Sequence, residues 1–344
     1  MKRCTKCTLP GSFPGISFDN DGICSICNDF FSRGTSPDSA AQLNEHLLAL
    51  FETAKSQNRP YDAVVSFSGG KDSTFLIYAL KERFDLKLLA VTFDNGFLSH
   101  ACAANMRNVL GALNVDHIVI KPRQDHLNAI FLESALSPIY PEYLTKFGSG
   151  ICISCIRMVM TAALRTAIEK RIPLVMLGNS PGQLLRSDHE LIYQDNKIPF
   201  TLRRQLFSKL GERLGPWVYN YVMLTADEYR TTPFPHIVSP LPILGYDETE
   251  IYKTIAQLGW SKPKDVDPNS TNCRLNAFGI IRHQNRYGFH PYDYEMSQLV
   301  RLGSMSREAA LKKIEDEDGM VFDVATSVER ELFCASCSQH CGGH

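Results

Sequence analysis

The sequence carries no excess of charge of either sign. Lys and Arg number 36 against 37 Asp and Glu, a net charge of −1. Coating nucleic acid or an anionic membrane takes a surplus of phosphate-neutralising cations, so the balance argues against both and leaves room only for a local basic patch. No segment reads as long and apolar enough to span a bilayer. The opening Met1-Lys2-Arg3-Cys4-Thr5-Lys6-Cys7 is basic but lacks the apolar stretch of a secretory signal. These absences point to a cytoplasmic protein. No internal repeat or low-complexity tract interrupts the chain. With 44% apolar and 21% charged residues, wholesale disorder is excluded, and a core that folds without disulfides is expected. The 344 residues suggest about two units, by the soft rule of roughly 150 residues per domain.

What is present in unusual number is cysteine, eleven residues in all. A reducing cytosol disfavours structural disulfides, so metal or thiol chemistry comes first. Cys4-x-x-Cys7 and Cys24-x-x-Cys27 form two knuckles with 16 residues between them. Four soft thiolates at this spacing suit tetrahedral zinc in a structural ribbon. The tail holds Cys334, Cys337, Cys341 and His344, either a second zinc site or a thiol tail without fixed metal. Cys152-x-x-Cys155 lies mid-chain, and Cys102 and Cys273 stand alone. Cys102, among Ala101, Ala103 and Ala104, reads as core.

From Tyr61 onward the chain alternates strand and helix. Asp62–Phe67, Leu86–Phe93, His117–Lys121 and Leu174–Leu177 read as strands. Asp72–Glu82, Ala101–Leu113, Met158–Lys170 and Asp247–Leu258 read as helices. Such alternation predicts an α/β fold, a parallel sheet with helices on both faces. The turn-rich stretch Arg33–Ser39 reads as a linker. The expected organisation is a zinc ribbon over 1–35, a nucleotide domain over 40–258, and a small helical C-terminal region with a Cys-rich tail over 259–344.

Ser66-Phe67-Ser68-Gly69-Gly70-Lys71-Asp72-Ser73-Thr74 runs from a strand through two glycines into a helix start. That junction presents unpaired backbone N–H groups and the positive end of a helix dipole to an anion. It is not a Walker A loop, which needs Gly and Ser or Thr where Val65 and Asp72 stand. Ser-Gly-Gly-Lys-Asp-Ser resembles the phosphate loop of the PP-loop ATP pyrophosphatases. That resemblance implies adenylation of a carbonyl or amide oxygen, with ATP held by Ser66, Ser68, Gly69, Gly70, Lys71, Asp72, Ser73 and Thr74 and with Mg²⁺ at Asp72. Gly178 and Asn179, in Leu177-Gly178-Asn179-Ser180, are similar to the family's segment beside the α-phosphate. Asp94 reads equally as an adenine- or substrate-facing residue and as a turn residue before Gly96.

Two sharper resemblances compete. The head, from Cys4 to Cys27, and the later Gly288-Phe289-His290-Pro291-Tyr292-Asp293-Tyr294-Glu295 look like N-acetyl sugar amidotransferases of surface-polysaccharide pathways. That likeness implies a nucleotide-sugar substrate and ammonia from a glutaminase partner. Cys152, Cys155 and Cys273 are similar instead to the set that holds a 4Fe-4S iron–sulfur cluster in PP-loop thiouridine synthetases, implying thiolation and a sulfur donor. For these three, a redox-active dithiol and inert buried thiols are the other readings. The reading led by the cysteines is sulfur transfer to a small-molecule acceptor, with Lys71, Asp72, Cys152, Cys155 and Cys273 at the chemistry. Amide transfer is the alternative, and a homodimer is compatible with either.

Overall fold

Ala63–Ser66 (β1), Leu88–Phe93 (β2) and Leu174–Leu177 (β4) are almost wholly apolar and buried, as strands covered on both faces must be. With Asp116–Ile120 (β3), Ile192–Tyr193 (β5) and His236–Val238 (β6) they form one sheet in the order β3-β2-β1-β4-β6-β5. The register places Val65 between Ala90 and Met176. All neighbours run parallel except β5, which lies antiparallel to β6 at the edge. The expected parallel sheet is therefore mostly parallel. The computed structural model describes residues 2–33, 37–184, 191–315 and 319–337, with 33, 37–39 and 334–337 described by backbone alone. The proposed tail site of Cys334, Cys337, Cys341 and His344 falls outside the described side chains.

β1 sits where the chain order reverses, with β2 on one side and β4 on the other. In open α/β sheets the crevice beyond the carboxyl ends of strands at such a point takes ligands. The two helices after Ser25–Arg33 (α1) are Pro37–Ser56 (α2) and Lys71–Glu82 (α3). Leu47 and Phe51 of α2 and Phe75, Leu76 and Leu80 of α3 fill one side of the sheet, together with Cys102, Met106 and Val109 of Cys102–Leu113 (α4). Cys102 is fully buried, as its alanine neighbours suggested.

The other side is covered by a helix that starts earlier than its sequence indicates. Gly150–Glu169 begins eight positions before Met158, with the Ser149 hydroxyl accepting the Cys152 N–H as N-cap at 3.3 Å. Cys152 and Cys155 thus lie on its first two turns. By length and a mean hydropathy of 1.6 this helix is apolar enough to cross a membrane, which corrects the expectation that no segment is. Here it packs on β1, β2 and β4. Helices Gln124–Leu136, Leu275–Tyr287 and Met320–Cys337 join it in a second core that no strand–helix alternation announced.

The N-terminal knuckles do not stand apart. Leu9 and Phe13 pack with Phe289 and Tyr294, and Arg3 pairs with Asp293 at 2.7 Å. The ribbon is thereby docked on the helix Asp293–Arg301.

Candidate functional site

The Ser68–Ser73 loop leaves β1 and turns at Gly69, whose φ of +73° suits glycine. Gly70 then caps α3 with no side-chain partner. The loop folds on its own hydroxyls: Ser73 Oγ lies 3.1 Å from Ser68 Oγ and accepts the Ser68 N–H at 3.3 Å. Trp260 Nε1 donates to the Gly69 carbonyl at 2.9 Å and pins the turn from outside. Of the first three α3 N–H groups, none of which has an intrahelical acceptor, that of Lys71 goes to Thr271 Oγ1 at 3.0 Å. Those of Asp72 and Ser73 have no hydrogen-bond acceptor among the described residues. Gly178 presses against this turn so closely that a Cβ there would meet Ser73 N at 2.9 Å. Asn179 donates to Ser239 Oγ at 3.0 Å, which ties the ends of β4 and β6.

Lys71 is buried, and its ammonium is held by Asp72 at 2.7 Å, Tyr246 OH at 2.7 Å and Glu248 at 3.4 Å. Burial works against its charge, but Asp72, Tyr246 and Glu248 outweigh burial and hold it well above the usual lysine range. Glu248 is shared with Lys313 at 2.6 Å; burial opposes its charge, but Lys71 and Lys313 hold its carboxyl low. Tyr246 and Glu248 carried no signal in the sequence beyond the acidic start of a helix. Asp247 makes that start, accepting the N–H groups of Thr249 and Glu250.

Asp94 takes the turn role. Its Oδ1 accepts the Gly96 N–H at 2.9 Å, and it lies 3.6 Å from Lys121. Its neighbour Asn95 is the residue the sequence reading passed over. The Asn95 amide lies 3.3 Å from Cys273 Sγ and 3.7 Å from Cys155 Sγ, spanning both. Cys152 Sγ is 3.3 Å from Asn276 Oδ1, which also accepts from Tyr292 OH at 3.0 Å. Burial pushes the Cys152 thiol up to about 12, and pushes Cys155 and Cys273 up as well. Burial in apolar surroundings makes a thiol less reactive.

The fit of metal differs between the two cysteine sets. Sγ atoms of Cys4, Cys7, Cys24 and Cys27 all lie within 4.8 Å of one another, with Cys4–Cys27 at 3.9 Å and Cys7–Cys24 at 3.8 Å. A tetrahedron with zinc–sulfur bonds of about 2.3 Å has edges of about 3.8 Å. The four buried sulfurs fit one zinc ion. Cys7 is held low by hydrogen bonds from Cys24 and Cys27, which are themselves pushed up. Among the described residues no other group of three or more ligands closes so tightly. Cys152, Cys155 and Cys273 converge without closing on a single ion. Asn95 lies between two of them, and the third contacts Asn276.

Several arginines elsewhere, whose residue type could hold an anionic substrate, are already engaged. Arg203 pairs with Asp195, Arg274 with Glu331 and Arg282 with Glu329. Arg204 lies over the Tyr219 ring, and Arg186 lies outside the described residues.

Comparison with known proteins gives distant likenesses. No family model matches the chain. An uncharacterized protein of Methanocaldococcus jannaschii is 24% identical over 292 residues, covering 84% of this chain and 85% of that one. Among solved structures, the U34-tRNA thiolase NcsA from Methanococcus maripaludis with its 4Fe-4S cluster is similar at a TM-score of 0.38 and 13% identity, covering 96% of this chain and 88% of that one. An NMN synthetase from Francisella tularensis is similar at a TM-score of 0.28 and 14% identity, covering 74% and 94%.

Proposed function

We propose that this chain is an enzyme that uses ATP to adenylate a carbonyl or amide oxygen of a small acceptor, releases pyrophosphate, and replaces the adenylate with sulfur. One observation carries the reading. Within three residues, the Thr271–Cys273 segment touches both halves of the chemistry. Thr271 Oγ1 takes the Lys71 N–H in the phosphate loop, and Cys273 shares the Asn95 amide with Cys155. This adjacency supports activation and transfer side by side, since holding a reactant next to its attacking group lowers the barrier.

The residues divide the work. The N–H groups of Asp72 and Ser73, with the α3 dipole behind them, take the pyrophosphate oxygens. Lys71 adds a fixed positive charge as the α–β bridge breaks, and such preset charge is stabilising where charge develops. Asp72 is the carboxylate that would hold Mg²⁺, a hard ion that takes oxygen ligands. Cys152, Cys155 and Cys273 would hold an iron–sulfur cluster, which supplies the sulfur when bound. The zinc of Cys4, Cys7, Cys24 and Cys27 is structural, since four thiolates leave it no open position.

Anaerobic purification with reconstitution, followed by iron, sulfide and zinc analysis, tests the reading. About four iron and four sulfide per chain beside one zinc are expected. Zinc without iron removes the sulfur step and favours amide transfer with ammonia from a glutaminase partner.

A further inference from the structure

The helices Gln124–Leu136, Gly150–Glu169 and Leu275–Tyr287 meet around a cavity with about 310 Å³ of empty space, part of it continuous with solvent. None of its lining residues belongs to the Ser68–Ser73 loop or to the cysteine set. Arg282, His283 and Arg286 line it from Leu275–Tyr287, and Ser137, Ser149 and Gly150 from the ends of the other two helices. Ser149 and Gly150 open the helix Gly150–Glu169, whose first N–H groups have no intrahelical acceptor and whose dipole end is positive.

Three buried nitrogens on this lining have nothing to bond. Both ring nitrogens of His283 and the Nε of Arg282 lack a hydrogen-bond partner. His283 is only 3% exposed, so solvent does not serve it either. Its ring is fixed by contacts with Tyr287 at 4.7 Å and Phe289 at 4.8 Å. A buried polar atom without a partner is costly, and native proteins keep few of them. Three at one cavity point to an occupant.

The sign of the lining decides its class. Among the described residues no acid lines the cavity. Arg282 pairs with Glu329 through Nη2, but Arg286 donates its Nη2–H to the Leu136 carbonyl at 2.6 Å rather than to an acid. Burial first, and Arg286 second, hold the His283 imidazole neutral, its pKa lowered to about 4. A neutral imidazole offers one N–H donor and one acceptor nitrogen. The occupant that serves every group therefore carries negative oxygens for the guanidinium groups and one hydroxyl for the imidazole acceptor.

We propose that this cavity binds inorganic phosphate as the hydrogen phosphate dianion, with Arg282, Arg286 and one His283 nitrogen donating to its oxygens and its own hydroxyl donating to the other His283 nitrogen. Arginine suits such an anion because its planar fork matches phosphate oxygens. Sulfate and the dianion of a phosphate monoester carry the charge without the proton, and would leave the imidazole acceptor unpaired. The site goes beyond the adenylation reading and does not depend on it.

Isothermal titration calorimetry of the full chain with inorganic phosphate tests this at about pH 8, where a phosphate monoester is a dianion without a proton. The Ser68–Ser73 loop can also take phosphate, so Lys71→Ala serves as a second background. Saturable binding is expected, kept in Lys71→Ala and weakened at least about 10-fold in His283→Phe and in Arg286→Met. Phenylalanine keeps a ring against Tyr287 and Phe289 and removes both nitrogens. Sulfate and methyl phosphate are expected to bind at least about 10-fold more weakly than phosphate. No binding at about 10 mM phosphate overturns the site. Binding that Lys71→Ala removes and His283→Phe keeps belongs to the Ser68–Ser73 loop and overturns it as well. Sulfate or methyl phosphate bound as tightly as phosphate overturns hydrogen phosphate as the ligand. If His283→Phe does not fold, Arg286→Met decides, since Arg286 is exposed: an unchanged affinity for phosphate overturns the proposal.

Discussion

Arg307 grips the first metal knuckle from outside, its Nε donating to the carbonyl oxygens of Cys4 at 3.2 Å and Cys7 at 2.8 Å. Together with Arg3–Asp293, this contact makes the ribbon a clamp on the helices from Asp293 to Ile314. Cys4→Ser combined with Cys27→Ser should therefore remove one zinc per chain and lower the melting temperature of the C-terminal helices too. Metal-binding energy at such sites is folding energy. Metal analysis and a thermal melt check this, and unchanged zinc with unchanged melting would refute it.

Gly178→Ala should disturb the Ser68–Ser73 loop without removing any polar side chain. The added Cβ meets backbone, Ser73 N and Cα both at 2.9 Å, and helix α3 cannot yield as a flexible side chain can. Overpacking of this kind costs about 1–3 kcal/mol. Stability should fall by that amount and the KM for ATP should rise, measured by urea unfolding and by pyrophosphate release.

The residues legible in the sequence are those whose chemistry is local. Ser68 to Ser73 form a loop whose hydroxyls and free backbone N–H groups are near-consecutive, and Cys4-x-x-Cys7 brings two thiols together within one turn of chain. Asn95 and Thr271 could not be found that way. Asn95 acts only because β2 ends opposite both the start of Gly150–Glu169 and the segment at Cys273, joined to Leu98 by an isolated bridge. The late start assigned to that helix has a similar cause: Ile151, Ile153 and Ile156 weaken its local helix signal, and packing of Ile151 and Met158 in the core overrides them. The two-residue edge strand Ile192–Tyr193 is too short to show any periodicity.

Lys71→Ala and Asp72→Ala should each abolish release of pyrophosphate and AMP. Tyr246→Phe separates the two contributions of that cluster. It removes a hydroxyl that touches both the Lys71 ammonium and Asp72 Oδ1, at 2.7 and 2.9 Å, but leaves the ion pair. Hydrogen bonds to charged groups contribute about 1.5–3 kcal/mol, so stability should drop within that range while turnover is reduced rather than lost. A Tyr246→Phe protein as stable as wild type would show the phenol to be a bystander.

Single Ser substitutions at Cys152, Cys155 or Cys273 should remove sulfur transfer and spare ATP binding, since the thiols and the phosphate loop are separate elements. Asn95→Ala should weaken iron retention without changing the ligand set, because its amide lies against two of the three sulfurs. Iron content after gel filtration reads the second effect. Full iron retention in Asn95→Ala would mean that the amide positions neither thiol.

Glu295, on the helix Asp293–Arg301 with its Oε1 accepting the Ser180 hydroxyl at 3.0 Å, makes stability depend on pH, and the sign follows from burial. Its folded pKa stands at about 7. In the unfolded chain it takes the ordinary glutamate value of about 4.3. Between those values the native chain binds more proton than the unfolded one, so the stability of unfolding falls as pH rises through the window. The favourable contribution is complete below the unfolded value and is lost by about pH 7, above which a buried charge remains. Glu295→Gln keeps the shape and removes the titration. Its melting temperature relative to wild type should therefore rise between about pH 5 and pH 8, by a few degrees. Parallel melting curves across that range, with a constant difference, would show that Glu295 is ionised in the native protein throughout.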